Sequence, residues 1–245
     1  MTPSQAQSTT APRPPCRVLI MGTDTEVGKT YVTATILQGL RAHGRRVWVH
    51  KPIACGEWDG QQAGDGRTLR ALAGDEQPPE WVCPRQLAEA CSPHLALRRA
   101  GQSFTLEQAL VFLDRCLMGS QDCLIEGAGG ILSPLTSDDA GIADIACARS
   151  LPAIVVTRPH LGTINHTRLS LAYLQHRGIR VLGLVINEHQ PATPGPAHDH
   201  IHDELQRLCG IPVLAQIAHT PTAQDPALGK LLAATILRRL ENAEP

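Results

Sequence analysis

A chain of 245 residues with 22 basic and 23 acidic side chains has a net charge of −1, which leaves no basic footprint for nucleic acid and no polybasic patch for a membrane surface. No apolar run approaches the roughly 18 residues of a membrane span. The eight cysteines are scattered, with no C-x-x-C pair and no zinc-like spacing, and so read as reduced thiols of a cytoplasmic protein.

Residues 1–15 are rich in Ser, Thr, Pro and Gln and have neither a charged n-region nor an apolar h-region. They read as a disordered leader ahead of one domain over 16–241. A first strand is expected at 16–21, followed by the Gly-rich loop GTDTEVGKT (22–30) and a helix over 28–42. A strand, a loop ending in Gly28-Lys29-Thr30 and a helix together form a cradle for phosphate. Backbone N–H groups face the anion, Lys29 reaches the outer phosphates and Thr30 can ligate Mg²⁺. Gly22 and Gly28 are separated by five residues instead of the usual four, so the loop is one residue longer or differently phased.

A second strand at 46–50 ends at Lys51, in HKPIACG. That lysine is either a solvated strand end or a cation aimed at the phosphate rim. Asp65, before an expected helix at 66–73, is either a helix N-cap or a metal carboxylate, and its position alone favours the cap. After a helix at 105–118, the strand DCLIE (122–126) delivers Glu126 where a second metal-binding carboxylate belongs, and glycines 127, 129 and 130 follow it. A strand at 152–157 leads to Gly162-Thr163, which opens a helix over 163–177 whose free N–H groups suit a second anion, such as a carboxylate.

The strand at 181–187 ends at Asn187, either a reader of a base edge or ordinary turn chemistry. QPATPGPA (190–197) reads as a Pro-rich surface loop. HDHIHDE (198–204), on an expected helix at 199–208, looks metal-like but reads as a solvated face. A last strand at 212–217 precedes an amphipathic helix at 226–240, expected to pack on the sheet. Most strands are continuously apolar, as strands covered on both faces must be. The pattern predicts an α/β fold, a doubly wound, mostly parallel sheet with helices on both faces, binding ligands beyond the carboxyl ends of its strands.

Taken in order, GTDTEVGKT (22–30), KPIACG (51–56), SPH (92–94), EGAGGILSPL (126–135), LGTINH (161–166) and Asn187 resemble the dethiobiotin synthetase family over about residues 17–220. The resemblance implies an ATP- and Mg²⁺-dependent ligase of biotin biosynthesis that closes a ureido ring from 7,8-diaminononanoate and CO2. The family works as a homodimer. By resemblance, Gly22, Thr25, Glu26, Val27, Gly28, Lys29, Thr30 and Asn187 would bind the nucleotide, and Thr30, Asp65 and Glu126 the Mg²⁺. Lys29, Lys51 and Thr23 would act on the phosphoryl group and carbamate. Thr23, Lys51, Cys55 and Gly129 would meet the substrate, whose carboxylate would lie on Leu161, Gly162, Thr163, Ile164 and Asn165 of the neighbouring subunit.

Two positions depart from the family. Cys55 stands where serine is common, and Ile217-Ala218-His219 replaces an Ile-Pro segment that lines the base, which predicts looser nucleotide preference. Two other classes compete. A regulatory partition-type ATPase of the same fold family usually carries an extra lysine early in the loop, where Gly22 and Thr23 stand here. A cobalamin-pathway amidotransferase would need a glutaminase domain, for which the chain is too short.

Overall fold

A computed structural model describes residues 14–188, 195–219 and 225–242. The expected leader, up to residue 13, and most of the Pro-rich segment at 190–197 lie outside the described residues. The chain runs β1 (Arg17–Gly22), α1 (Lys29–Ala42), β2 (Val47–His50), β3 (Ile53–Cys55), α2 (Gly64–Ala73), α3 (Pro79–Val82), β4 (Arg85–Leu87), α4 (Pro93–Arg99) and α5 (Leu106–Gly119). It continues through β5 (Asp122–Glu126), α6 (Ile142–Arg149), β6 (Ala153–Thr157), α7 (Thr163–His176), β7 (Val181–Asn187), α8 (Pro196–Asp199), α9 (Ile201–Cys209), β8 (Val213–Ile217) and α10 (Pro226–Glu241).

Six strands form one parallel sheet in the order β2-β5-β1-β6-β7-β8, with β1 inside it. Leu19 pairs with Ile125 on one side and Ala153 on the other. Because side chains alternate along a strand, each central strand feeds two cores. Leu19, Met21, Cys123, Ile125 and Val155 pack under α5, α6 and α9, while Val18, Ile20, Leu124, Ile154 and Val156 pack under α1, α2 and α10. Helices therefore cover both faces, and the six predicted strands are all present.

The edge strand β2 is not left open. Gln77 accepts from the Val49 N–H at 2.9 Å and donates to the Val49 carbonyl at 2.6 Å, so one side chain does the work of a neighbouring strand. Lys51 N–H donates to Val82 O, tying the strand exit to α3. Where β5 begins, Arg45 and Asp122 form a buried ion pair, 2.6 Å at its closest, and Asp122 also accepts from the Cys16 N–H.

The expected helix at 199–208 is present as α9, which starts at Ile201, and a separate short helix, α8, precedes it with a break at His200. His198 and His202 each lie 3.1 Å from the carboxylate of the next residue, Asp199 or Asp203. Among the described residues no group of three or more His, Cys, Asp or Glu side chains is placed to hold a metal ion, there or elsewhere. No described helix is long and apolar enough to cross a membrane. The small parallel pair β3–β4 and helices α3, α4 and α6 were not anticipated; β3, α3, β4 and α4 lie in the stretch that follows Lys51, whereas α6 helps cover one face of the sheet.

Candidate active site

The carboxyl ends of β1, β2 and β5 converge because these three strands are neighbours in the sheet. β1 ends at Gly22 and hands the chain to the phosphate-type loop, which closes on Gly28, the N-terminal cap of α1. Gly28 adopts φ +80°, a left-handed conformation that glycine takes without strain. No described side chain caps α1, and a helix start of this kind can receive an anion on its backbone N–H groups. Lys29 Nζ donates to the Asp24 carbonyl at 3.1 Å, folding its ammonium back over the loop.

Thr30, Lys51, Asp65 and Glu126 meet in one hydrogen-bonded knot. Thr30 Oγ1 lies 2.9 Å from Asp65 Oδ1 and 2.7 Å from Glu126 Oε1. Lys51 Nζ lies 2.7 Å from Glu126 Oε1 and also donates to Asp65 Oδ2. Glu126 is fully buried and Lys51 nearly so, whereas the Asp65 side chain is half exposed. Asp65 is not the cap of α2. That position belongs to Ala63, and Asp65 sits inside the first turn with its carboxylate turned to Thr30 and Lys51.

Burial lowers the Lys29 ammonium to about 8, helped by the neighbouring Lys51 charge and opposed by Glu126, Asp65 and Asp24. Burial would also push Lys51 down, but the Glu126 and Asp65 carboxylates outweigh it and hold the ammonium above its usual range. For Asp65, burial pushes the carboxyl up, and Lys51 and the Thr30 hydroxyl overcome it, so the group sits below the usual carboxylate range. The two ammoniums and two carboxylates cancel in formal charge. A polyanionic triphosphate entering this site therefore needs a cation to come with it.

The donor set fits such a cation. Thr30 has one hydroxyl hydrogen and stands between two carboxylate oxygens, which it cannot satisfy together. Three hard oxygens on one small volume suit Mg²⁺.

Other predicted residues occupy the surrounding rim. Thr23 Oγ1 donates to Thr157 Oγ1 at 3.2 Å, and Thr157 in turn lies 2.6 Å from Thr163 Oγ1 and 3.1 Å from Thr167 Oγ1. A chain of hydroxyls thus joins the phosphate loop to the start of α7. Asp24 accepts from the Thr25 N–H and from Arg158, which braces the loop. Asn187 Nδ2 donates to the Val27 carbonyl at 3.0 Å, so this amide supports the loop from β7. Cys55 ends β3, where burial, with the neighbouring Cys91 second, pushes its thiol up to about 12 and keeps it protonated. Gly129 lies on the turn after β5 beside Ser133. Leu161, Gly162, Ile164 and Asn165 line a cleft of about 700 Å³ with Arg168, away from the knot, while the Thr163 side chain turns inward to Thr157.

Sequence reasoning missed Thr33, Thr157 and the Arg158–Asp24 pair. Thr33 Oγ1 reaches Glu126 Oε2 at 2.8 Å. The available signal was spacing, because Thr33 follows Thr30 by three residues and Lys29 by four, on the same helix face.

A parallel sheet with this loop at the exit of an inner strand, and carboxylates from neighbouring elements beside it, defines a nucleotide-phosphate-binding α/β protein of the phosphate-loop class. A family model described as an AAA domain matches residues 16–227. ATP-dependent dethiobiotin synthetase BioD of Bacillus cereus (strain G9842) is 35% identical over 195 residues, covering 80% of each chain. The protein of the same name from Bacillus thuringiensis (strain Al Hakam) is equally similar, with the same coverage. The Pyrococcus furiosus cell division ATPase MinD is a solved structure 18% identical to this chain, with a TM-score of 0.48, covering 92% of this chain and 98% of that one. The chain belongs to the dethiobiotin synthetase family.

Proposed function

We propose that the chain is an ATP-dependent dethiobiotin synthase, joining 7,8-diaminononanoate and CO2 into a ureido ring. The observation that carries this reading is the knot of Thr30, Lys51, Asp65 and Glu126 at the mouth of the phosphate loop, in a member of this family. One substrate amine, as its carbamate, presents an oxygen to the terminal phosphorus of ATP. The bond from that phosphorus to the bridging oxygen breaks and ADP departs. The second amine then attacks the carbamoyl carbon, loses its proton and expels phosphate, closing the ring. Lys29 and Lys51 would stabilise the negative charge that moves onto the transferring group, and the Thr23 hydroxyl would orient the carbamate.

Thr30, Asp65 and Glu126 would hold Mg²⁺, which supplies neutralisation of the phosphate oxygens. The active form is a cytoplasmic homodimer in which residues 161–165 of one subunit receive the substrate carboxylate bound at the other. Arg168 beside that cleft suits an anion. The reading is tested by incubating the protein with diaminononanoate, bicarbonate, Mg²⁺ and ATP and assaying dethiobiotin. The wild type forms product, and Lys29→Ala keeps its thermal stability but loses product formation. Product from Lys29→Ala at the wild-type rate would remove the loop from the reaction, and no product from the wild type would remove the activity.

A further inference from the structure

The two oxygens of the buried Glu126 carboxylate face different partners. Oε1 meets Thr30 and Lys51, both at 2.7 Å. Oε2 receives one hydrogen bond among the described residues, from Thr33 Oγ1 at 2.8 Å. Thr33 is itself fully buried, one helical turn beyond the Lys29-Thr30 pair. Its hydroxyl also lies 2.9 Å from the Lys29 carbonyl, yet it has a single hydrogen to give. In an α-helix that carbonyl already receives the Thr33 N–H. A buried carboxylate oxygen left without a donor carries the larger penalty. The hydrogen therefore belongs on Oε2.

We propose that Thr33 is a positioning residue for the divalent cation: by holding Oε2 it fixes the carboxylate plane so that Oε1 points at Thr30 and the metal. This rests on Glu126 and Thr30 being metal ligands. Without the Thr33 hydroxyl, Glu126 would turn to satisfy its orphaned oxygen and withdraw Oε1 from the metal position. Thr33→Val keeps the shape and β-branching of the side chain and removes only the donor. Thr33→Ser keeps the donor and removes the methyl.

The test is Mn²⁺ affinity of the full chain with a non-hydrolysable ATP analogue, read by electron paramagnetic resonance, with Glu126→Gln as reference. Thr33→Val should weaken Mn²⁺ by about tenfold, the size expected for one hydrogen bond to a charged group. Thr33→Ser should stay within about twofold of the wild type, because the donor survives. Analogue binding in EDTA should be the same in all three. Wild-type Mn²⁺ affinity in Thr33→Val overturns the proposal, as does a Thr33→Ser variant as weak as Thr33→Val. Weakened binding in EDTA also overturns it, because the damage would then lie in the phosphate loop. If Thr33→Val does not fold, Thr33→Ala set against Thr33→Ser decides the same question. Should Glu126→Gln bind Mn²⁺ like the wild type, the metal assignment itself fails; a weakened Glu126→Gln beside an unchanged Thr33→Val sinks the positioning role alone.

Discussion

His50 closes β2 one residue ahead of Lys51, and its ring is completely buried. Nδ1 lies 2.8 Å from the Trp81 carbonyl, while Nε2 is buried without a partner among the described residues. Burial, opposed by the Trp81 contact, lowers this imidazole from the usual 6.5 to about 4. Between those values the unfolded chain binds a proton that the folded one refuses, so stability rises with pH across this window and is lost as pH falls through it. The full effect is about 3 kcal/mol. Thermal unfolding followed from pH 7 to 4.5 should show a falling midpoint, and His50→Asn, which can still donate toward Trp81, should flatten the slope. An unchanged slope in that variant would place the acid sensitivity elsewhere. At this scale Glu126 was legible as the first polar residue after an apolar strand and Thr30 as the end of the Gly-Lys-Thr loop, whereas Lys51, behind His50, reads from position alone as a solvated strand end as readily as a site cation. Asp65 was not legible from position alone, because a carboxylate ahead of an expected helix reads first as a cap. Only the folded chain shows it turned toward Lys51 and Thr30. Thr33 offered only its helical spacing from Lys29 and Thr30, and Thr157, inside a strand, offered no local signature; their partners Glu126 and Thr23 come from the distant chain.

Helix α1 carries the phosphate loop at its start, and its position on the sheet is set by α10. The two cross where Gly39 meets Gly229; a Cβ built on Gly39 would sit 1.9 Å from the Gly229 carbonyl oxygen and 2.9 Å from Ala233 Cβ. Backbone cannot yield as a flexible side chain does, so one helix must move. Gly39→Ala should destabilise by about 3 kcal/mol, the upper end of ordinary overpacking, despite alanine's better helix propensity. Urea unfolding measures this. A loss below about 1 kcal/mol, or a gain, would mean that the helices do not approach this closely. Elements were legible where they were long. All six main strands and α1, α5, α7 and α10 gave clear runs. Helix α6 showed no amphipathic period because Ile142, Ala143, Ile145 and Ala146 are all buried. The elements α3, β3 and β4 span three or four residues each, too few to display any period. The short α8, four residues from Pro196 to Asp199, is hidden for the same reason.

If the proposed substrate site is shared between two subunits, the dimer is the unit of function. In one chain, the cleft at the start of α7 is bordered by Leu161, 93% exposed, and Leu169, 63% exposed. On the proposed reading, these apolar side chains beside Arg168 would take an aliphatic substrate ending in a carboxylate. Sharing of this kind has a consequence that a self-contained site lacks. Lys29→Ala disables the phosphate loop of its own subunit, and Asn165→Asp places a negative charge where the partner's substrate carboxylate would sit. A dimer mixed from the two contains one doubly damaged site and one intact site, because the intact loop faces the intact Asn165. Random exchange at equal amounts makes half the dimers mixed, each with one working site of two. Activity should therefore return to about a quarter of the wild-type specific value. Sites complete within single subunits would give no recovery, since every loop and every residue 165 would then be matched with its own damaged chain. Subunit exchange is followed independently by mass tagging, so silence with proven exchange would rule out the shared site.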